Sequence, residues 1–248
     1  MMKKLFWSTW LALTALHAGF NPAPYESVLQ DLSGQSATVP DRDIPVGSSG
    51  IVLHAFDKRH RTIIATAIVT GKKEGKLTLT FRKFDRLRQS ALPEYKIAPA
   101  KGDVVILNYL YNRILPILPD AAHFRDFATK HQNFEIVHPD LFASALYFDH
   151  DPQPTKEDFR KACVQNDLSL LYFAVGRKGR FVDCESFRVI DEEPLATPVD
   201  SQKAQKPFYS RVPEIKNRLG GIMGSESIGD YNLYYRTFLE LKKPKTEK

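Results

Sequence analysis

The sequence has little cysteine, two residues in 248, and apart from one N-terminal run it has no long apolar stretch. Two cysteines without CxxC spacing argue against both a zinc site and a thioredoxin-type redox motif. Apart from the N-terminal run, nothing is long and apolar enough to span a bilayer, which takes about 20 residues. GxSxG is missing, because Gly47-Ser48-Ser49-Gly50 has the wrong spacing and precedes a strand. HExxH, the phosphate-binding P-loop and GxGxxG are missing too, as is any internal repeat. These absences leave no catalytic signature and imply no cofactor or metal. The seven histidines are scattered. His138-Pro139-Asp140 and Asp149-His150-Asp151 are the only histidine–carboxylate pairings of note. Capping and loop solvation account for both. A hydrolase using His138 or His150 would need them to converge with a nucleophile. Asp183 and Glu185, two apart on an expected strand, point to one face, which reads as a solvent face.

The N-terminal run has the features of an export signal. Lys3-Lys4 precede an apolar stretch from Leu5 to Ala18 of about 14 residues, the n-region and h-region of a secretory signal, with Ala18 as its last residue. No cysteine follows it to carry a lipid anchor. The expectation is an exported protein of the periplasm or cell surface in a Gram-negative-type envelope. In such a compartment Cys163 and Cys184 can form a disulfide, which would stabilise by about 3 kcal/mol through loop closure, or can remain as two buried thiols.

The formal charge is +6, but it sits at the ends. Without Lys3, Lys4 and the four lysines and one glutamate of Lys242–Lys248, 29 basic residues face 28 acidic ones. A nearly neutral fold does not suit nucleic acid, which wants a basic face. Three short basic clusters, at Lys58–Arg61, at Arg82-Lys83 with Arg86 and Arg88, and at Arg177-Lys178 with Arg180, fall near expected turns. An apolar fraction of 43% is enough for an ordinary core.

Along the chain the patterns predict an α+β protein. A small antiparallel β-barrel or sandwich spans 26–109 and a mixed α/β domain spans 111–191. A linker by composition follows at 192–206, then a C-terminal segment, 207–243, with a helix from about Tyr231, and a free basic tail, 244–248. In the first part, Ser27–Leu32 alternates, Arg61–Thr70 is rich in β-branched residues, and glycine-containing turns at 33–35, 46–50, 71–75 and 99–103 separate the expected strands. In the second, Asp120 is placed to cap a helix over 121–131. Pro139 suits the first position of another, and Thr155 with Asp158 resembles a capping box. Leu168–Val175 is an unbroken apolar run and reads as a central strand, followed by a strand over Arg180–Ile190. Asp230 is the natural N-cap of a helix whose Tyr231, Tyr234, Tyr235, Phe238 and Leu241 form one core-facing stripe.

Several stretches together resemble the N-terminal domain of bacterial plasminogen-binding surface proteins: 46–53 (VGSSGIVL), 102–118 (GDVVILNYLYNRILPIL), 138–146 (HPDLFASAL), 154–163 (PTKEDFRKAC) and 183–187 (DCESF). The resemblance covers about residues 25–195. It implies a non-enzymatic envelope protein with host plasminogen as partner, engaged through a C-terminal lysine, here Lys248. Lysine-binding pockets take the ammonium, the aliphatic stem and a free α-carboxylate together. No nucleic acid or small-molecule substrate is expected. The alternative is a periplasmic structural or scaffold component with envelope protein partners, for example at a flagellar base.

Overall fold

In the computed structural model the described residues are 19–86, 97–217 and 227–241. The expected signal (1–18), Arg88 of the second basic cluster, and Lys248 with the basic tail lie outside them.

The fold is α+β and is built on two sheets. The first sheet comprises β1 (Tyr25–Val28), β2 (Gln30–Ser33), β3 (Ser36–Pro40), β4 (Ser49–Ala55), β5 (Arg61–Lys73), β6 (Lys76–Lys83) and β7 (Val104–Leu107). All neighbours are antiparallel, in the order β1-β7-β4-β5-β6-β3-β2. The alternating run Ser27–Leu32 is therefore two strands. At Leu29, buried to 1% exposure, the chain leaves β7 for β3; its N–H donates to Asp103 and its carbonyl accepts from Gly102. One segment thus supplies both outer strands, and the sheet curls until they meet. Tyr25 Oη confirms the curl by donating to the Pro40 carbonyl on β3 at 3.0 Å. Val39, Val52, Val69, Leu77, Leu79 and Val105 fill the interior of the curl. The β5–β6 turn is shorter than the glycine spacing suggested. The strands pair up to Lys73 and Lys76. The two residues between, Glu74 and Gly75, both have positive φ, as a tight hairpin matching the strand twist requires.

The second sheet comprises β8 (Arg113–Ile117), β9 (Glu135–Ile136), β10 (Leu170–Val175), β11 (Lys178–Asp183) and β12 (Val189–Pro194), in the order β12-β11-β10-β8-β9. Its helices are α1 (Ala121–Lys130), α2 (Pro139–Asp149), α3 (Lys156–Gln165) and α4 (Tyr231–Phe238). β8, β9 and β10 run parallel, and the β10–β11–β12 meander is antiparallel. β10 is the central strand, and every residue of it is buried, the outcome its unbroken apolar run predicts. Its adjacent side chains define the layers. Tyr172 meets Phe127 of α1 on one face, while Phe173 meets Phe159 of α3 and Tyr235 of α4 on the other. The helix starts follow the capping residues. Asp120 accepts from His123 N–H, Asp230 accepts from Leu233 N–H, and the Thr155–Asp158 box is complete.

Two sequence expectations shift. The single strand over Arg180–Ile190 is a hairpin, with β11 and β12 joined by a turn at Cys184–Arg188. The residues composed like a linker are bonded onto the second sheet. β12 runs to Pro194, Val199 N–H donates to Gly176 and is buried, and Gln205 N–H donates to Pro119. Their charged and proline-rich composition marks an edge strand and a surface strap.

Candidate functional site

The aromatic stripe of α4 anchors the last described part of the chain. Tyr231 and Tyr235 are fully buried. Tyr231 Oη donates to the Ile117 carbonyl at 3.0 Å, Tyr235 Oη to Pro207 at 2.9 Å and Tyr234 Oη to Pro154 at 2.9 Å. Each phenol buries an apolar ring while satisfying its hydroxyl, and burial pushes all three above the ordinary phenol range. The helix ends at Phe238, with Leu239 at its C-cap. Leu241 packs against the same core. α4 is thus a fixed mount for the segment that carries Lys242 to Lys248.

The junction between the two sheets is built on Asp183, which is fully buried. Its Oδ2 accepts from Ser49 Oγ of β4 at 2.5 Å and from Tyr111 Oη at 2.8 Å. Its Oδ1 accepts from the Glu185 and Ser186 N–H groups at 3.0 and 2.6 Å, which fixes the β11–β12 turn. Tyr111 Oη in turn accepts from Ser49 N–H at 3.0 Å, and Ser186 Oγ donates to the Gly47 carbonyl at 2.6 Å. Burial pushes the Asp183 carboxyl up, and the hydroxyl and amide donors around it pull the other way. Tyr111 is raised by burial and by the neighbouring charge of Asp183. Asp183 is therefore an inter-sheet strut and not half of a solvent-facing pair. Glu185 lies in the turn, where burial raises its carboxyl and Arg86, at 3.2 Å, opposes that. Arg86 also donates to the Leu168 carbonyl at 2.6 Å, and Arg180 is held by Glu192 at 2.7 Å, so neither is the freely solvated turn cation expected of it.

Cys163 of α3 and Cys184 of the turn are joined as a disulfide, with both residues 1% exposed. The bond ties α3 to the same turn that Asp183 organises. The histidine pairings do not converge. His138 is the N-cap of α2 and His150 its C-cap, about 18 Å apart along the axis. Asp140 is bound by Arg211, and His150 Nδ1 lies 3.3 Å from the Lys216 carbonyl. The two roles are caps, and no hydrolase centre forms between them. Among the described residues no group of three or more His, Cys, Asp or Glu side chains is arranged to hold a metal ion. No helix among them is long and apolar enough to cross a membrane.

One polar cluster went unread in the sequence. Glu193 at the end of β12 accepts from His131 and Tyr172 on Oε1, at 2.8 and 2.7 Å, and from Lys130 on Oε2 at 2.6 Å. Burial pushes this carboxyl up, but the hydrogen bonds from His131, Lys130 and Tyr172 outweigh it and hold the group at about 2. The sequence signal, a glutamate among four charged or proline residues, reads as surface.

Comparison with known proteins adds a family. The family model described as plasminogen-binding protein pgbA N-terminal matches residues 24–239. The match extends past the stretches that carried the sequence resemblance and takes in α4. Two curated relatives, the plasminogen-binding protein PgbA of Helicobacter pylori strains J99 and 26695, are each 25% identical over 217 residues. The alignment covers 87% of this chain and 47% of each relative, so the chain spans about half the length of the curated relatives it matches.

Proposed function

The chain belongs to the plasminogen-binding protein N-terminal family, and from that premise we propose that it is an exported, non-enzymatic binding protein of the cell envelope whose partner is plasminogen. The observation that carries this reading is the family match over residues 24–239. Lys248 is the residue proposed to make the contact. Its ammonium enters a lysine-binding pocket of a plasminogen kringle, and its methylene stem lies along the aromatic walls. The family match ends at residue 239, and Lys248 lies seven positions beyond Leu241. A chain of that length reaches at most about 25 Å. Export supplies the compartment in which this partner is met, and it suits the Cys163–Cys184 bond.

The test is capture of plasminogen by the immobilised chain and by a variant lacking Lys248, each with and without a soluble lysine analogue. Loss of capture in the variant and in the presence of the analogue supports the lysine mechanism. Capture indifferent to both places the contact on the domain surface instead.

A second reading, an envelope scaffold component, draws support from α2. Leu141 and Phe148, seven residues apart on one helix face, are 57% and 78% exposed. A stable partner recovered with the exported chain, and lost on Phe148→Ser, would favour it.

A further inference from the structure

The cavity between α1 and the end of β12 has no part in the function proposed above. It encloses about 490 Å³, a volume suited to a small ligand. Leu118, Phe127 and Leu195 contribute its apolar wall, together with the Tyr172 ring. Its polar lining includes Glu193.

The two oxygens of that carboxylate are held differently. Oε1 is bound by His131 and Tyr172, which are 3% and 2% exposed and locked in the aromatic layer beneath α1. Tyr172 is fixed from below as well. Its phenol lies on Gly179, where an added Cβ would fall 1.7 Å from the Tyr172 oxygen. Oε2 is bound by the ammonium of Lys130, the last residue of α1, whose side chain is 51% exposed. An ion pair with one long, half-solvated member is weak and readily exchanged, whereas the buried half is not. The lining carries the carboxylates Asp126 and Glu193, the ammonium of Lys130 and the imidazoles of His123 and His131. The exchangeable carboxylate oxygen, already held by an ammonium, selects a cation, and the wall selects an aliphatic stem.

We propose that this cavity binds a small primary alkylammonium ligand, whose head replaces Lys130 on Glu193 Oε2 and whose stem lies along Leu118, Phe127 and Leu195. Lys130 then acts as a tethered internal competitor that holds the site closed. The geometry makes a specific demand: removing the competitor improves binding, and removing the carboxylate charge abolishes the preference for a cation.

The experiment titrates the purified chain with n-hexylamine, hexanol and hexanoate, three probes with one stem length and different heads, following amide chemical shifts. Hexylamine is expected to bind saturably, with shifts around Lys130, Tyr172 and Glu193, and at least about tenfold tighter than hexanol, the value of one charge-assisted hydrogen bond. Lys130→Ala, an exposed position that leaves the fold intact, is expected to tighten hexylamine several-fold. Glu193→Gln is expected to bring hexylamine and hexanol to equal affinity. Equal binding of all three probes by the unaltered chain would overturn the proposal, as would a preference for hexanoate. No saturable hexylamine binding to Lys130→Ala would overturn it even if Glu193→Gln fails to fold.

Discussion

Replacing Asp183 with alanine removes an acceptor on which donors from both sheets converge. Ser49 Oγ, Tyr111 Oη and the N–H groups of Glu185 and Ser186 lose their partner together. The site is fully buried, so water does not replace the carboxylate at no cost. An unsatisfied buried donor costs about 1–3 kcal/mol, and breaking a buried charged network typically costs about 3–5 kcal/mol in all. The expected loss for Asp183→Ala is about 4 kcal/mol. Asp183→Asn separates the contributions. Its remaining carbonyl still accepts from the two turn amides, and its new NH₂ faces two hydroxyls. Ser49 Oγ can rotate to accept, while the Tyr111 oxygen already accepts from Ser49 N–H and is left with a hydroxyl proton to place. Two hydroxyl protons lose their acceptor where Asp183→Ala orphans four donors, and the expected loss is about 2 kcal/mol. Urea unfolding of the three proteins, followed by fluorescence, gives the free energies directly. Agreement of the two variants within about 0.5 kcal/mol would refute the reasoning, because the count of orphaned donors would then not set the cost.

Three further outcomes follow from the same structure. The Cys163→Ala/Cys184→Ala variant should lose about 3 kcal/mol, since the bond closes a loop with a sequence separation of 21, and in calorimetry its melting point should fall by about 6–12 °C. Glu193 is depressed from 4.5 to about 2, so its contribution of about 3 kcal/mol is present above its unfolded pKa and is lost as pH falls from about 5 through 2; Glu193→Gln should flatten that part of the acid-unfolding curve. Gly50→Ala should cost about 3 kcal/mol or more by overpacking, measured by thermal unfolding, because its Cβ would sit 2.1 Å from the Ile106 carbonyl on the neighbouring strand.

The parts of the fold legible in the sequence are those with local causes. Asp120, Thr155 and Asp230 start helices because a side-chain oxygen three residues upstream satisfies a free N–H, a rule independent of the rest of the chain. β10 was legible as central because only a strand buried on both faces is apolar throughout. The hairpin at Cys184–Arg188 was not legible. It contains no glycine, proline or asparagine. Its positive φ falls on Phe187, and its stability comes from Asp183, which reads locally as an ordinary strand residue. The break at Leu29 was hidden for a different reason. Within the run only Leu29 is buried, while Val28 and Leu32 are exposed, so the spacing of its apolar residues does not report the change of partner strand. Glu193 lies in the run Asp191-Glu192-Glu193-Pro194, where only tertiary pairing with His131, Tyr172 and Lys130 distinguishes it from its neighbours.

The most direct test of the central claim is an equilibrium titration of the purified chain with plasminogen, repeated with a saturating lysine analogue. The account predicts saturable binding that the analogue displaces and that falls at least about tenfold when Lys248 is removed. An absence of saturable binding would contradict the proposed partner. Saturable binding that neither the analogue nor the deletion alters would contradict the lysine contact.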